Sequence, residues 1–211
     1  MAAAIHTALP SWSQRLISEL DVADRRADSL VKTLTTEQLT WRPRPDVWSV
    51  GQCLKHLCLF NQVYLPAISS SLEGRQRARV QEITPGCRWF IWNYVEASSE
   101  SRRTRAPRKI EPDEQVESSI LESFLRTNQT ARELIYRASD YDVNRIRFKN
   151  PFIPALRFTA VTGLEIVSKH QSRHLLQAQR VRQRADFPGS EETESRTTDF
   201  SRWQSAPIHY S

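Results

Sequence analysis

The chain has 211 residues, 39% of them hydrophobic and 26% charged, which suits one soluble domain with a sizeable core plus a tail. No run approaches the roughly 18 apolar residues of a membrane span. The net charge of +6 raises the question of a nucleic-acid partner, but "RRTRAPRK", Arg102 to Lys109, gathers five of the positive charges in one proline-containing connector. Nucleic-acid readers spread charge along a face and interleave stacking aromatics, so a solvated loop is the preferred reading.

Five glycines and little β-branched alternation favour an all-α fold. The start, "MAAAIHTALP", lacks a basic segment followed by a long apolar one, so no signal peptide is expected. Cys53, Cys58 and Cys87 form neither a CxxC pattern nor an even-numbered framework. Reduced thiols in the cytoplasm are the expected setting.

Residues 1–10 read as an extension. The first amphipathic segment follows Pro10, with Ser11 as its N-cap. Trp12, Leu16, Leu20, Ala23, Ala27, Leu30 and Leu34 recur at spacings of four and three, one face of a packed helix. "TTEQLTWRPRPDV" reads as a break. The second helix begins at "WSVGQCLKH", where Ser49 and Gln52 form a capping box. Its stripe, Cys53, His56, Phe60, Val63 and Ala67, turns His56 inward.

A connector of about residues 72 to 114 follows. It holds the aromatic cluster "CRWFIWNYVEA", read as a short covering helix, and then the basic stretch. Its length predicts a crossover that lets successive helices run parallel. The third helix is expected from Pro112 and Asp113 through Ala138, with Asn128 inside its apolar stripe. "DYDVNRIRFKNPFIPALRF" reads as loop. The fourth helix is expected over 159–184, with Gly163, Val167, His170, His174, Gln177 and Val181 on its inner face. The bundle domain therefore spans 11–184, and the polar stretch 185–211 reads as a mobile tail.

The chemistry lies in "KHQSRHLLQ". His170 and His174 stand four apart, so they project from one helix face about 6 Å apart and suit one metal ion. Gln171 replaces the glutamate of HExxH, which removes the general base of a metalloprotease. The pair alone is weak evidence. His56, inward on another helix, strengthens it, while His6 and His209 fall near the ends. Three buried imidazoles each need polar partners, and one cation satisfies all three.

"RPRPDVWSVGQCLKHL" followed by "HQSRHLLQAQRV" resembles the DinB-like superfamily of DinB/YfiT-type metalloenzymes, over roughly residues 11 to 183. That resemblance implies a four-helix bundle with a long crossover between helices two and three. It also implies a metal site at His56, His170 and His174, with zinc, nickel or iron as the divalent ion. Characterised relatives include thiol-dependent S-transferases and isomerases, so a low-molecular-weight thiol cosubstrate and a small-molecule substrate are implied too. The superfamily name does not imply DNA binding. Related bundles often dimerise, so a homodimer is compatible with the resemblance, though no residue here argues for it.

Three further residues are candidates beside the metal or in its pocket. Gln177 is one turn beyond His174, Asn128 sits on the third helix, and Cys53 is a candidate soft ligand more readily explained as a small buried apolar group. Glu165 is expected to be exposed, and Arg173 to face away into a salt bridge. Trp48 reads as a hydrophobic staple rather than a substrate contact. No Ser-His-Asp set, phosphate loop or carboxylate pair emerges, and no catalytic residue beyond the ligands. The first expectation is a metal-dependent transferase or hydrolase that activates a thiol or water. The second is a non-catalytic module, binding a small ligand or dimerising, with a structural metal. A nucleic-acid partner ranks third.

Overall fold

In the computed structural model, which describes residues 8–86 and 106–189, the first apolar stripe becomes helix α1 (Ser11–Val31). Trp12, Leu16, Leu20, Ala23, Ala27 and Leu30 are buried along it. Pro10, not Ser11, occupies the N-cap position, and no side chain caps the helix there. "TTEQLT" does more than break the chain. It forms a one-turn helix α2 (Thr36–Thr40), because Thr35 and Gln38 make a reciprocal capping box.

Helix α3 (Val50–Ser71) starts with the capping box of Ser49 and Gln52. It is buried on more than one face, with Leu54, Leu57, Phe60, Tyr64 and Ile68 in the core beside His56. Helix α4 (Ile120–Ala138) starts later than expected. Pro112 and Asp113 are instead an irregular strap across the start of α3. There Asp113 Oδ1 accepts from Lys55 Nζ at 2.6 Å and its carbonyl accepts from Gln52 Nε2 at 3.1 Å.

The segment read as loop between the last two helices contains a hairpin. Strands β1 (Arg147–Lys149) and β2 (Arg157–Thr159) pair antiparallel, with Phe148 opposite Phe158. Both phenylalanines are buried, a period-two pattern too short to stand out from sequence. Thr159 then caps helix α5 (Ala160–Arg182).

The pairing of helices follows from side-chain contacts. Asn61 reaches Asn128, and Ser69 meets Arg137, so α3 and α4 run in the same direction. His56 meets His170 while Ile68 faces Gly163, so α3 and α5 run oppositely. Arg15 pairs with Glu165 and Ser29 with Arg182, so α1 runs along α5. Parallel neighbours α3 and α4 require the long crossover. The protein is an all-α four-helix bundle with a minor hairpin.

Two apolar clusters fill the bundle, one around Leu16, Tyr64, Phe148 and Leu164, the other around Ala27, Leu54, Phe124 and Leu175. Between them lies a polar layer with one residue from each long helix. Asn128 Nδ2 donates to Asp24 Oδ1 (2.6 Å) and Gln171 Oε1 (3.0 Å), Gln171 Nε2 donates back to Asn128 Oδ1 (2.7 Å), and Asn61 Nδ2 donates to the same oxygen (3.3 Å). The layer fixes the register of the helices, and its amides are paired except for Asn61 Oδ1, which is buried without a hydrogen-bond partner among the described residues.

Within residues 185–189, read as the start of the tail, two residues pack on the bundle. Phe187 is buried edge-on against Trp41, and Pro188 accepts a hydrogen bond from Gln38 Nε2. The remainder of the tail, residues 1–7, the aromatic cluster of 87–97 and Arg102 to Arg105 lie outside the described residues. Among the described residues no helix is long and apolar enough to cross a membrane.

Candidate metal centre

His56 is placed by the first turns of α3, and His170 and His174 by successive turns of α5, at the level of the polar layer. One ring nitrogen from each lies within 4.8 Å of the others. His56 Nε2 is 3.0 Å from His170 Nε2. His56 and His174 are buried and His170 is half-buried.

Burial lowers the pKa of His56 to about 4, against a hydrogen bond to Ile110 that raises it and the charge of Arg173 that lowers it further. His170 and His174 are also held well below the ordinary imidazole value, mainly by burial, with neighbouring ring charges and Arg173 adding to it. All three rings are therefore neutral at pH 7, the state in which imidazole ligates a metal.

The tautomers follow from the partners. His56 Nδ1–H donates to the Ile110 carbonyl at 2.7 Å, and His174 Nδ1–H donates to Gln177 Oε1 at 3.0 Å. Both rings then carry their lone pair on Nε2. Two neutral ring nitrogens 3.0 Å apart share either a proton, carried by His170, or a cation. Histidine ligands are characteristically oriented by an oxygen acceptor on the opposite nitrogen, and two of these three have one. The donor set suits zinc, nickel or iron in the borderline class.

Aromatic rings wall the cluster. Trp48 lies 4.7 Å from His56 and 5.7 Å from His174, ring centre to ring centre, and Phe60 lies 4.2 Å from His170. Phe152, carried on the hairpin loop, lies tilted against Phe60, ring centres 5.6 Å apart. Trp48 is thus more than a staple, since it contacts two of the three imidazoles.

The remaining candidates separate. Gln177 touches the cluster directly through His174. Asn128 belongs to the polar layer and pairs with Gln171, next in sequence to His170. Cys53 is fully buried in the apolar core, where burial pushes its thiol pKa up, and it is not grouped with the imidazoles. Glu165 is buried rather than exposed and pairs with Arg15, because α1 packs on that side of α5. Arg173 is not fully exposed. It is half-buried, and its charge bears on all three histidines. The helical i, i+3 relation to His170 was the available signal for Arg173. No side-chain pattern points to the Ile110 carbonyl, which is backbone.

The chain matches the family model of the DinB superfamily over residues 19–178, which contains every residue of this cluster. It belongs to the DinB superfamily. No curated protein and no solved structure gives a match. Within this superfamily member, then, three neutral imidazoles from two helices converge and could hold a metal ion.

Proposed function

We propose that this DinB-superfamily protein is a metal-dependent enzyme, a transferase or hydrolase, that activates a low-molecular-weight thiol or water at His56, His170 and His174. The observation that carries the reading is the set of tautomers. Nδ1–H of His56 and of His174 is each committed to an oxygen, which leaves Nε2 free to ligate. Three protein ligands also leave coordination positions for a reactant, as in catalytic zinc sites. A divalent ion held there lowers the pKa of an adjacent thiol or water and makes it nucleophilic near neutral pH.

The chain's own residues do the rest. Ile110 and Gln177 hold two rings in orientation, while Trp48 and Phe60 keep water from the imidazole faces. The thiol is supported by kinship with the superfamily, the metal by the geometry.

Metal analysis of untagged protein, purified without chelator, tests this. The expected content is about one divalent ion per chain, lost in His170→Ala and His174→Ala. Metal-free protein from such a preparation would sink the proposal. A closed shell of four protein ligands would instead favour a structural ion in a non-catalytic module.

A further inference from the structure

The acceptor that fixes the tautomer of His56 sits on an irregular stretch of chain. Ile110 closes a single turn of 3-10 helix, Arg108–Ile110, and its N–H donates to the Pro107 carbonyl at 2.9 Å. Beyond it, residues 112–116 make no backbone–backbone hydrogen bond among the described residues. Side chains of α3 hold that strap instead. Gln52 Nε2 donates to the Asp113 carbonyl at 3.1 Å, and Lys55 Nζ donates to Asp113 Oδ1 at 2.6 Å and to the Gln115 carbonyl at 2.7 Å. Val116 lies so close to Gly51 that a Cβ there would meet its Cγ1 at 2.5 Å. At 100° per residue, Gln52, Lys55 and His56 share an arc of about 100° on α3. The strap is therefore docked along the same face from which His56 Nδ1 reaches the Ile110 carbonyl at 2.7 Å.

We propose that Gln52 and Lys55 are positioning residues for the three-histidine centre, acting through the strap. By pinning Asp113 and Gln115 they hold the Ile110 carbonyl on His56 Nδ1, which keeps the proton on that nitrogen and the lone pair on Nε2. A ring released from the carbonyl exchanges between tautomers, and the Nε2–H form has no lone pair to offer an ion. The clamp itself is geometry independent of any metal, while its consequence for metal affinity rests on the metal-centred reading above. The Lys55–Asp113 pair is exposed on the Asp113 side, so its loss changes global stability little. Its effect is local, which separates a positioning role from a merely structural one.

The test uses the full chain with Lys55→Met, which removes both Lys55 hydrogen bonds to the strap, and a double variant that adds Gln52→Glu. Glutamate at that position still serves the capping box with Ser49, while its oxygens repel the Asp113 carbonyl. In metal-free protein at mildly alkaline pH, nitrogen NMR of the imidazoles should show His56 protonated at Nδ1 in the unaltered chain and mixed tautomers in both variants. His56→Gln assigns the signals. Zinc affinity, read by competition with a chelator, should fall about tenfold in the double variant, as when the support behind a ligand is lost, and by part of that in Lys55→Met. Lys55→Arg should restore most of it, because a guanidinium has donors for both acceptors. Lys32→Gln, which removes an exposed pair with Asp28 at the end of α1, should leave it intact. The melting temperature of Lys55→Met in chelator should barely change.

An unchanged His56 tautomer in both variants overturns the proposal, and so does an affinity loss that leaves the tautomer intact. Full zinc affinity in the double variant despite mixed tautomers overturns it as well. If the double variant fails to fold, Lys55→Met against Lys55→Arg decides by tautomer. If the unaltered chain binds no zinc, the metal-centred reading falls, and the tautomer alone then decides whether the clamp positions His56.

Discussion

Acidifying the metal-free protein should destabilise it well above the pH at which carboxylates titrate. The reason is His56, whose pKa is about 4 in the folded chain against the ordinary 6.5. Above pH 6.5 the ring is neutral whether the chain is folded or not, and its contribution is intact. As pH falls from 6.5 towards 4, the unfolded chain takes up a proton that the folded chain refuses, so stability drops. Between pH 7 and pH 5 that linkage amounts to about 2 kcal/mol for His56 alone. His170 and His174 are shifted in the same direction and add to it. The assay is urea unfolding in the presence of a chelator at the two pH values. With a slope of about 2 kcal/mol per molar urea, the midpoint should fall by ~1 M or more. In His56→Gln the difference should shrink by the share of His56. A midpoint that does not move between pH 7 and pH 5, or that moves equally in His56→Gln, refutes the placement of a neutral imidazole in the core.

Removing the oxygen that orients His174, in Gln177→Ala, should weaken metal binding about tenfold while the melting temperature of the chelated protein barely changes. Equilibrium dialysis against a competing chelator measures the first and circular dichroism the second. Asn128→Ala strips partners from Gln171, Asn61 and Asp24 at once. It should cost about 2 to 3 kcal/mol by urea titration, since buried amides are left unpaired. A new Cβ in Gly163→Ala would meet Phe148 Cε1 at 2.7 Å and Ile68 Cδ1 at 2.8 Å. Overpacking of that kind should lower stability by about 1 to 3 kcal/mol in a thermal melt.

Strong local rules made part of this protein legible before its coordinates. The capping box at Ser49 and Gln52, the stripe of α1 and the i, i+4 histidines are written in short-range spacing, and the structure places them as that spacing implies. What escaped was decided by packing between distant segments. Helix α4 begins at Ile120 because Asp113 is held by Lys55 and Gln52, contacts about 60 residues away in sequence that no periodicity carries. Glu165 is buried because α1 supplies Arg15. The hairpin strands are three residues each, too short for alternation to register against two nearby prolines. In the candidate site the three imidazoles were readable, while the Ile110 carbonyl was not, since backbone groups are identical in every residue.

The crossover between α3 and α4 fixes when the centre can exist as well as where. His56 is made early, but both of its partners ride on α5, 114 and 118 residues further along the chain. Until that last helix has been synthesised, the growing chain holds one imidazole of the three. Docking of that final helix therefore completes the core and brings the three imidazoles together in a single event. Any fragment that stops short of residue 170 would hold one imidazole of the three, however well its first three helices assemble.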